Sequence, residues 1–231
     1  MGAWRMRRAR AAWLGFALLL APVPVSAAPP SGLVPDLVLL PPMGERRIAI
    51  ARTEVTFAQW EACVAAGGCP HAGGDEGWGR GRYPVINVSW NDANAYARWL
   101  SAATGRFCRL PTSAEWIFAA QGGTRSPYWW GGVMEPGMAR CRGCNPGQPD
   151  DGPAPVASYP PNPYGLYDMN GNVGEWALDC TARRAGGGCV ARATHGGAWA
   201  SYALKAQGGA ETPRPPGERS FSVGFRVVCE P

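Results

Sequence analysis

The segment from Asn162 to Trp176 constrains the fold of this chain more than any other, and it reads NPYGLYDMNGNVGEW. It has neither the period of a helix nor the alternation of a strand. Its aromatic residues favour burial and its glycines permit left-handed backbone, but its carbonyls and carboxylates then need partners. A hard cation supplies such partners, because Ca²⁺ takes roughly 6–8 oxygen ligands. We therefore expect Asp168 and Glu175, with carbonyl oxygens between them, to hold a cation; an Asn/Gly turn whose acids cap backbone amides is the alternative.

The composition indicates one loop-rich domain with a packed core. The 231 residues include 32 Gly and 23 Pro, which argue for many turns, and 11 Trp, which argue against disorder. No internal repeat or shift in composition marks a boundary. We predict a single domain over residues 37–231.

Residues 1–27 have the three parts of a secretory signal peptide. Basic residues lie between Arg5 and Arg10, the apolar stretch Trp13–Leu20 is too short to span a bilayer, and Ala27 ends a run of small residues. We predict a periplasmic or secreted protein with a linker at residues 28–36 and no stable membrane anchor after cleavage; an uncleaved anchor is the alternative. Removal of the four arginines of this segment lowers the formal charge from +5 to +1, so nothing in the charge indicates nucleic-acid binding.

All eight cysteines lie beyond the signal peptide, and an even number in an exported chain predicts disulfides. Spacing alone leaves the connectivity open, but short loops favour Cys63–Cys69, Cys141–Cys144 and Cys180–Cys189, which leaves Cys108–Cys229. The Cys141-Arg-Gly-Cys144 motif also has the spacing of a redox pair or of half a zinc site. A turn, and not a helix, follows the motif, and His71 and His195 have no ligand spacing. We therefore predict a plain disulfide at this motif and no free thiol.

Three capping boxes mark the starts of three short helices. The boxes pair Thr56 with Gln59, Ser89 with Asp92, and Thr112 with Glu115. Glycines predict the ends of these helices near residues 66, 105 and 122. Extended runs predict strands at residues 37–40, 47–51, 192–199 and 223–228, with a loop at 181–188 and a polar surface segment at 201–220. The fold class is therefore α+β, without a repeated βαβ unit.

Several motifs resemble, in the same order, those of the formylglycine-generating-enzyme (sulfatase-modifying factor) family. One is the run Gly165–Trp176, and the others cover most of the mature chain: Arg52–Thr56, Tyr83–Trp90, Arg109–Trp116, Gly196–Trp199 and Val223–Arg226. The resemblance implies a C-type-lectin-like fold with short strands, three short helices, much irregular loop and structural Ca²⁺.

The resemblance also implies a set of calcium ligands. One Ca²⁺ corresponds to the side chains of Asp168 and Glu175 and the carbonyls of Gly171 and Val173. A second family site corresponds loosely to three upstream residues: Asn145, Asp150 and Asp151.

The sequence departs from the family where the copper chemistry takes place. The resemblance places two Cu(I)-binding cysteines shortly after the Gly-Gly-aromatic strand, and thiolates suit that soft ion. Ser201 and Ala206 occupy the matching positions, and Gly174 stands where a tryptophan is usual. We therefore expect neither copper nor copper-dependent formylglycine formation. An iron centre is not expected either, because the chain has only two histidines.

These features favour an exported, Ca²⁺-stabilised module that binds a peptide, glycan or small metabolite, or assists maturation, without the copper oxidase activity. The alternatives are an oxidoreductase or maturation enzyme of the same family that uses a different site, and a periplasmic structural or assembly factor. No catalytic residue is assigned, because no acid, base and nucleophile come together. The candidate ligand groove comprises Trp199, Ser201, Tyr202, Lys205, Glu211 and Arg226. Core packing for Trp199, an ion pair for Arg226 and a solvated charge for Lys205 are the alternatives.

Overall fold

The computed structural model describes residues 1–2 and 34–231, and this part of the chain contains three α-helices and eight short strands. The helices are α1 (Phe57–Ala65), α2 (Trp90–Thr104) and α3 (Ser113–Gln121), and a 3₁₀ turn spans Ala203–Ala206. The strands are β1 (Leu37–Leu39), β2 (Ala49–Ala51), β3 (Cys108–Arg109), β4 (Gly174–Arg183), β5 (Cys189–His195), β6 (Glu211–Arg214), β7 (Val223–Gly224) and β8 (Val228–Cys229). The α+β fold class is confirmed. The predicted signal peptide and most of the predicted linker lie outside the described residues, among which no helix is long and apolar enough to cross a membrane.

The strands form two four-stranded sheets. The first has the order β1-β2-β8-β3 with antiparallel pairs, and the second has the order β6-β5-β4-β7, in which only β4 and β7 are parallel. β7 and β8 follow each other in the chain but belong to different sheets. The residues between them therefore cross from one sheet to the other through the core, and Arg226 is one of them.

Each α-helix begins at its predicted capping box. The side-chain oxygens of Thr56, Ser89 and Thr112 accept hydrogen bonds from the backbone three residues later, and the side chain at that later position bonds back to the cap. α2 and α3 end at Gly105 and Gly122, both in the left-handed region. A left-handed glycine at this position stops a helix at little steric cost.

The core consists of one large and two smaller buried clusters. The large cluster packs α1 and α2 against the sheets and contains Trp60, Tyr96 and Trp176. A second cluster surrounds Trp116 of α3, and a third joins Tyr128, Ala206 and two of the cysteines, Cys141 and Cys144. The third cluster lies beneath the segment in which the ligand groove was predicted.

Several strand boundaries differ from the sequence-based predictions. The strand predicted at residues 47–51 begins only at Ala49, and the predicted polar surface segment at 201–220 contains β6, which pairs with β5. The predicted loop at residues 181–188 is wrong at its start, because β4 continues to Arg183 by pairing with β5. The predicted strand at 223–228 is two strands in different sheets. The predicted strand at 192–199 begins earlier and ends at His195, because Gly196 and Gly197 adopt φ values of 86° and 66° that a strand does not allow.

The eight cysteines form four disulfides, and the pairs are those that loop length favours. They join Cys63 to Cys69, Cys108 to Cys229, Cys141 to Cys144 and Cys180 to Cys189. Cys108–Cys229 spans 121 residues of sequence and links β3 to β8 within one sheet. The other three close local loops.

Candidate functional site

The irregular segment before β4 is fixed by backbone contacts with two other parts of the chain. The Gly171 N–H donates to the Gly196 carbonyl at 2.7 Å, and the Asn172 N–H donates to the Arg140 carbonyl at 2.8 Å. Gly171 has a φ of 88°, and a Cβ there would lie 2.2 Å from the Arg140 carbonyl oxygen. Only glycine therefore fits at this crossing of the two segments.

An ion pair between Glu175 and Arg226 occupies the centre of the fold. The Arg226 Nε and Nη2 atoms donate to the two Glu175 carboxylate oxygens at 2.6 Å each, and Trp116 Nε1 donates to Glu175 Oε2 at 2.7 Å. The remaining guanidinium donors reach backbone carbonyls of Ala51 and Tyr167. Both charged groups are fully buried, so these hydrogen bonds replace the water that each group loses.

Two further acids lie beside this pair. Glu54 and Asp168 are both buried and interact electrostatically with Glu175 and Arg226. Asp168 Oδ2 accepts a hydrogen bond from the Ala157 N–H, whereas neither carboxylate oxygen of Glu54 has a partner among the described residues. Burial is the main cause that raises the pKa of Glu54 well above its usual value and that of Asp168 to about 6.

This acidic cluster fits a divalent cation by its charge and by the unused oxygens of Glu54, Gly171 and Val173, whereas both Glu175 oxygens already accept hydrogen bonds from Arg226. With all three carboxylates ionised and Arg226 protonated, the cluster carries two uncompensated negative charges in the core. The carbonyl oxygens of Gly171 and Val173 accept none of the hydrogen bonds made between described residues. No group of three or more His, Cys, Asp and Glu side chains in the described chain is arranged to hold a metal by itself. A cation here would therefore depend on backbone oxygens, which Ca²⁺ accepts readily.

The residues proposed for a second calcium site use their oxygens within the protein. Asn145 Oδ1 accepts from the Gly137 N–H at 2.7 Å, and Asp150 Oδ2 accepts from the Gly143 N–H at 2.9 Å. Asp151 is exposed and pairs with Arg140 at 3.2 Å. These three side chains brace neighbouring loops and do not converge on one point through these bonds.

The candidate groove residues separate into surface and core. Trp199 is buried against Trp78, with ring centroids 5.0 Å apart, and against Phe221 at 5.8 Å. Tyr202 and Lys205 are exposed, Ser201 is half-buried beside them, and Glu211 is exposed on β6. Arg226 lies in the core, where its guanidinium is bonded to the buried Glu175 carboxylate, and it does not reach the groove. The ion-pair alternative for Arg226 is therefore the one that the structure supports.

Two cavities flank the Ser201 to Gln207 segment. The smaller, of about 30 Å³, lies between Ser201, Lys205 and Gly174 and has room for very few water molecules. The larger, of about 650 Å³, is an open cleft on the other side of the segment, and we call it the Tyr202 cleft. Three of its lining side chains are large, apolar and more than two-thirds exposed: Val133 at 69%, Tyr202 at 68% and Leu204 at 72%.

His195 has a structural role. It is buried and stacks on Trp116 with ring centroids 5.2 Å apart. One ring nitrogen lies 3.0 Å from the Ala210 carbonyl oxygen and the other lies 2.9 Å from Ser113 Oγ. Because both nitrogens are engaged, His195 joins β5 to α3 and offers no free base to the groove.

The sequence pattern of the family described as "Sulfatase-modifying factor enzyme 1-like domain" matches residues 44–231. The chain belongs to the sulfatase-modifying factor family. It is 39% identical over 176 residues to the formylglycine-generating enzyme of Streptomyces coelicolor, a match that covers 65% of this chain and 54% of that protein. It is 43% identical over 102 residues to the inactive C-alpha-formylglycine-generating enzyme 2 of Bos taurus, over 41% of this chain and 32% of that protein. The chain thus spans about half of the first relative and a third of the second.

The fold of this sulfatase-modifying factor domain agrees with that of a solved relative. PvdO from Pseudomonas aeruginosa superposes with a TM-score of 0.69 at 26% identity, over 85% of this chain and 91% of that one. The fold is the C-type-lectin-like α+β fold that the motifs implied. Active and inactive proteins both occur among the relatives, so membership of the family does not by itself establish an activity.

Sequence reasoning missed two parts of the site. Glu54 lies in the Arg52–Thr56 motif, and its signal was an acid in a short extended run directly before the cap of the first helix. The Tyr202 cleft was missed because its walls come from residues 128–146 and 202–207, which are distant in sequence. No local pattern connects those two segments.

Proposed function

We propose that this chain is an exported, calcium-stabilised member of the sulfatase-modifying factor family that binds a peptide or small ligand and lacks copper oxidase activity. The supporting observation is the chemistry at the two positions that match the family's cysteines. Ser201 offers a hard oxygen, and Ala206 is fully buried and offers only a methyl group. All eight cysteines are paired in disulfides. Cu(I) prefers thiolates, so these two positions supply no suitable ligand.

The oxidase assay tests this proposal directly. The purified protein is incubated with Cu(I), oxygen and a Cys-x-Pro-x-Arg peptide, and aldehyde formation is followed by mass spectrometry. We expect no aldehyde, whereas the Streptomyces coelicolor enzyme assayed in parallel converts the peptide. Turnover by the present protein above a copper-only control would contradict the proposal.

The Tyr202 cleft is the surface that best suits a ligand. Its volume of about 650 Å³ is within the range of ligand pockets. The exposure of its aromatic and aliphatic side chains to water is unfavourable, and a bound ligand would cover them. Native mass spectrometry of the exported protein, with identification of any released molecule, tests for a ligand. Leu204→Ala should reduce the amount bound, and Leu39→Ala, which changes another exposed leucine, on β1, is the matched control.

Calcium binding is the second part of the proposal. The residues that would hold the ion are Asp168, Gly171, Val173 and Glu175, to which the unpartnered carboxylate of Glu54 adds a further acid. Bound calcium would neutralise the two uncompensated charges and satisfy the free carbonyls. We expect a chelator to lower the melting temperature of the wild-type protein and to have little effect on Asp168→Asn or Glu54→Gln. Asp36→Asn, an exposed acid on the chain before β1, should respond as wild type does. An unchanged melting temperature for all four proteins would contradict calcium.

A further inference from the structure

The disulfide between Cys141 and Cys144 lies at the wall of the Tyr202 cleft. Cys144 lines the cleft together with Met134, Tyr202 and Leu204. Both cysteines are largely buried, with Cys144 at 5% exposure and Cys141 at 1%, but of the two only Cys144 lines the cleft. A molecule in the cleft would therefore meet the sulfur of Cys144 before that of Cys141.

The same disulfide lies beside the two positions where this family's cysteines were expected. The Arg142 N–H, between the two cysteines, donates to the Ser201 carbonyl at 2.9 Å. Cys141, Cys144 and Tyr128 pack with Ala206 in one buried cluster. Sulfur is thus present at this end of the fold, although it comes from a different segment of the chain.

The loop that carries the disulfide is held in place by hydrogen bonds that do not involve sulfur. The Gly143 N–H donates to Asp150 Oδ2 at 2.9 Å, and the Cys144 N–H donates to the Cys141 carbonyl at 3.2 Å. The Asn145 side chain donates to the Ala139 carbonyl at 2.8 Å. Together with the Arg142–Ser201 bond, these contacts should keep the loop folded when the disulfide is open. A disulfide that can open without local unfolding is suited to reversible exchange.

A positive charge lies within the four-residue motif. The Arg142 guanidinium lies 5.6 Å from the centre of the Tyr202 ring, at the same cleft. Arginine close to a cysteine lowers the pKa of the thiol and stabilises the thiolate that forms when a disulfide is attacked. This motif therefore combines a disulfide at the wall of the cleft with a basic side chain at the same cleft.

We propose that Cys141–Cys144 is a thiol–disulfide exchange site for a polypeptide that carries two thiols and lies in the Tyr202 cleft. One substrate thiolate attacks Cys144 Sγ, a new sulfur–sulfur bond forms, and the Cys141–Cys144 bond breaks to release the Cys141 thiolate. The second substrate thiolate attacks the substrate sulfur of the mixed disulfide and releases the Cys144 thiolate. The substrate is oxidised by two electrons to a disulfide, the protein disulfide is reduced to two thiols, and these take up the two protons that the substrate thiols lose. A low-molecular-weight disulfide reverses the change in the protein.

A redox titration of the full-length folded protein tests the proposal without any mutation. The protein is equilibrated in buffers of increasing reduced-to-oxidised glutathione ratio, quenched by alkylation, and analysed by peptide mass spectrometry for each cysteine pair. Cys141–Cys144 should open at a ratio about tenfold lower than any other pair, and reversibly. The matched control is Cys180–Cys189, whose cysteines are more exposed but lie in a β-hairpin outside the cleft. Opening of Cys180–Cys189 at the same or a lower ratio would overturn the proposal.

Two single-cysteine variants test which sulfur is attacked. In Cys141→Ser the freed Cys144 should form a mixed disulfide with an activated thiol peptide about tenfold faster than Cys141 does in Cys144→Ser. Equal rates, or a faster rate for Cys141, would contradict the assigned order. Circular dichroism establishes that both variants are folded, and the titration of the wild type decides the matter if one is not.

A third variant separates a polypeptide substrate from a small thiol. Leu204→Ala removes apolar surface from the cleft and leaves the cysteines in place. Exchange with a ten-residue dithiol peptide should slow at least threefold, while exchange with glutathione should not change. Equal effects on both reagents, or no effect on either, would overturn the assignment of a polypeptide.

Discussion

The Glu175–Arg226 pair and the Ser201 to Gln207 segment lie in the same fold but are built in opposite ways. In the core pair, each polar atom is held by a partner from another element, and nothing is exposed to solvent. In the surface segment the backbone is held at Ser201, Ala203 and Ala206, while the side chains of Tyr202 and Leu204 point into water. The fold therefore fixes the path of the chain at the site and leaves the side chains free to differ between relatives.

This difference fits the proposal that the chain keeps the family's fold without the family's copper-binding cysteines. A substitution in the core pair removes one half of a buried charge network. A substitution at Ser201 changes a half-buried side chain on a backbone that is held by other contacts. The comparison predicts large losses of stability in the core and small losses at the segment, and five measurements test it.

A large loss of stability is expected from Arg226→Ala. The change leaves the Glu175 carboxylate buried without its cation, beside the two further buried acids Glu54 and Asp168. Breaking a buried pair in this way costs about 3–5 kcal/mol of unfolding free energy. Urea denaturation measures the loss, with Arg214→Ala as control, because Arg214 pairs with Glu218 near the surface and such pairs contribute about 0–1 kcal/mol. Similar losses for the two variants would refute the contrast.

Two of the disulfides should differ in the same way in how much they contribute to stability. In the loop-entropy description, a bond that closes 121 residues stabilises the fold by about 5 kcal/mol, whereas one that closes three or four residues contributes about 2 kcal/mol. Replacing both Cys108 and Cys229 with Ala should therefore lower the unfolding free energy more than replacing both Cys141 and Cys144. The comparison is made by chemical denaturation under oxidising conditions. The reverse order would show that the cleft disulfide is a structural support.

Gly171→Ala tests the crossing of the irregular segment with Arg140. The added Cβ would overlap the Arg140 carbonyl oxygen, and the φ of 88° is strained for alanine, so we expect a loss of about 2–3 kcal/mol. Gly132→Ala is the control, since its Cβ would meet nothing within 4 Å and its φ is not left-handed. Thermal unfolding of both variants supplies the measurement. A neutral Gly171→Ala would mean that the segment adapts more easily than its contacts suggest.

Much of this framework can be predicted from sequence, because the signals that specify it are local. The helix starts are examples, because each has a hydroxyl at the cap and, three residues later, a side chain that hydrogen-bonds back to the cap. The caps are Thr56, Ser89 and Thr112. The sites depend on long-range contacts instead. Glu54 and Asp168 are 114 positions apart in the sequence, and their shared burial is a property of the folded chain. The same is true of β4, whose second half is a strand only because β5 pairs with it.

The pH dependence of stability tests the hydrogen bonds of Asp92, which belong to a partly exposed network. Burial would raise the pKa of Asp92, but hydrogen bonds from Arg219, Ser89 and His71 outweigh it and lower the pKa to about 2. The unfolded carboxyl has a pKa near 3.9, so this stabilisation is present above pH ~4 and is lost as the pH falls towards 2. Between pH 5 and pH 2.5, the unfolding free energy of Asp92→Asn should fall by about 1–2 kcal/mol less than that of the wild-type protein. The difference is this small because Arg219 is half exposed and solvent screens the pair. Urea denaturation from pH 5 to pH 2.5 provides the measurement, and parallel curves for the two proteins would contradict it.

The smallest change in stability is expected at the surface segment. Tyr202→Ala removes an exposed ring that contacts the Arg142 guanidinium, 5.6 Å from its centre, and should alter the unfolding free energy by no more than about 0.5 kcal/mol.

The same change removes one wall of the cleft, so ligand occupancy and thiol exchange should both fall while the melting temperature is unchanged. Phe107→Ala, which removes another exposed aromatic ring outside the cleft, should affect none of the three quantities. Because stability and binding are measured on the same sample, a loss of binding without a loss of stability would show that the side chains of this segment act on the ligand and not on the fold. A loss of stability as large as that of Arg226→Ala would instead place Tyr202 in the structural framework and remove the contrast between the two regions.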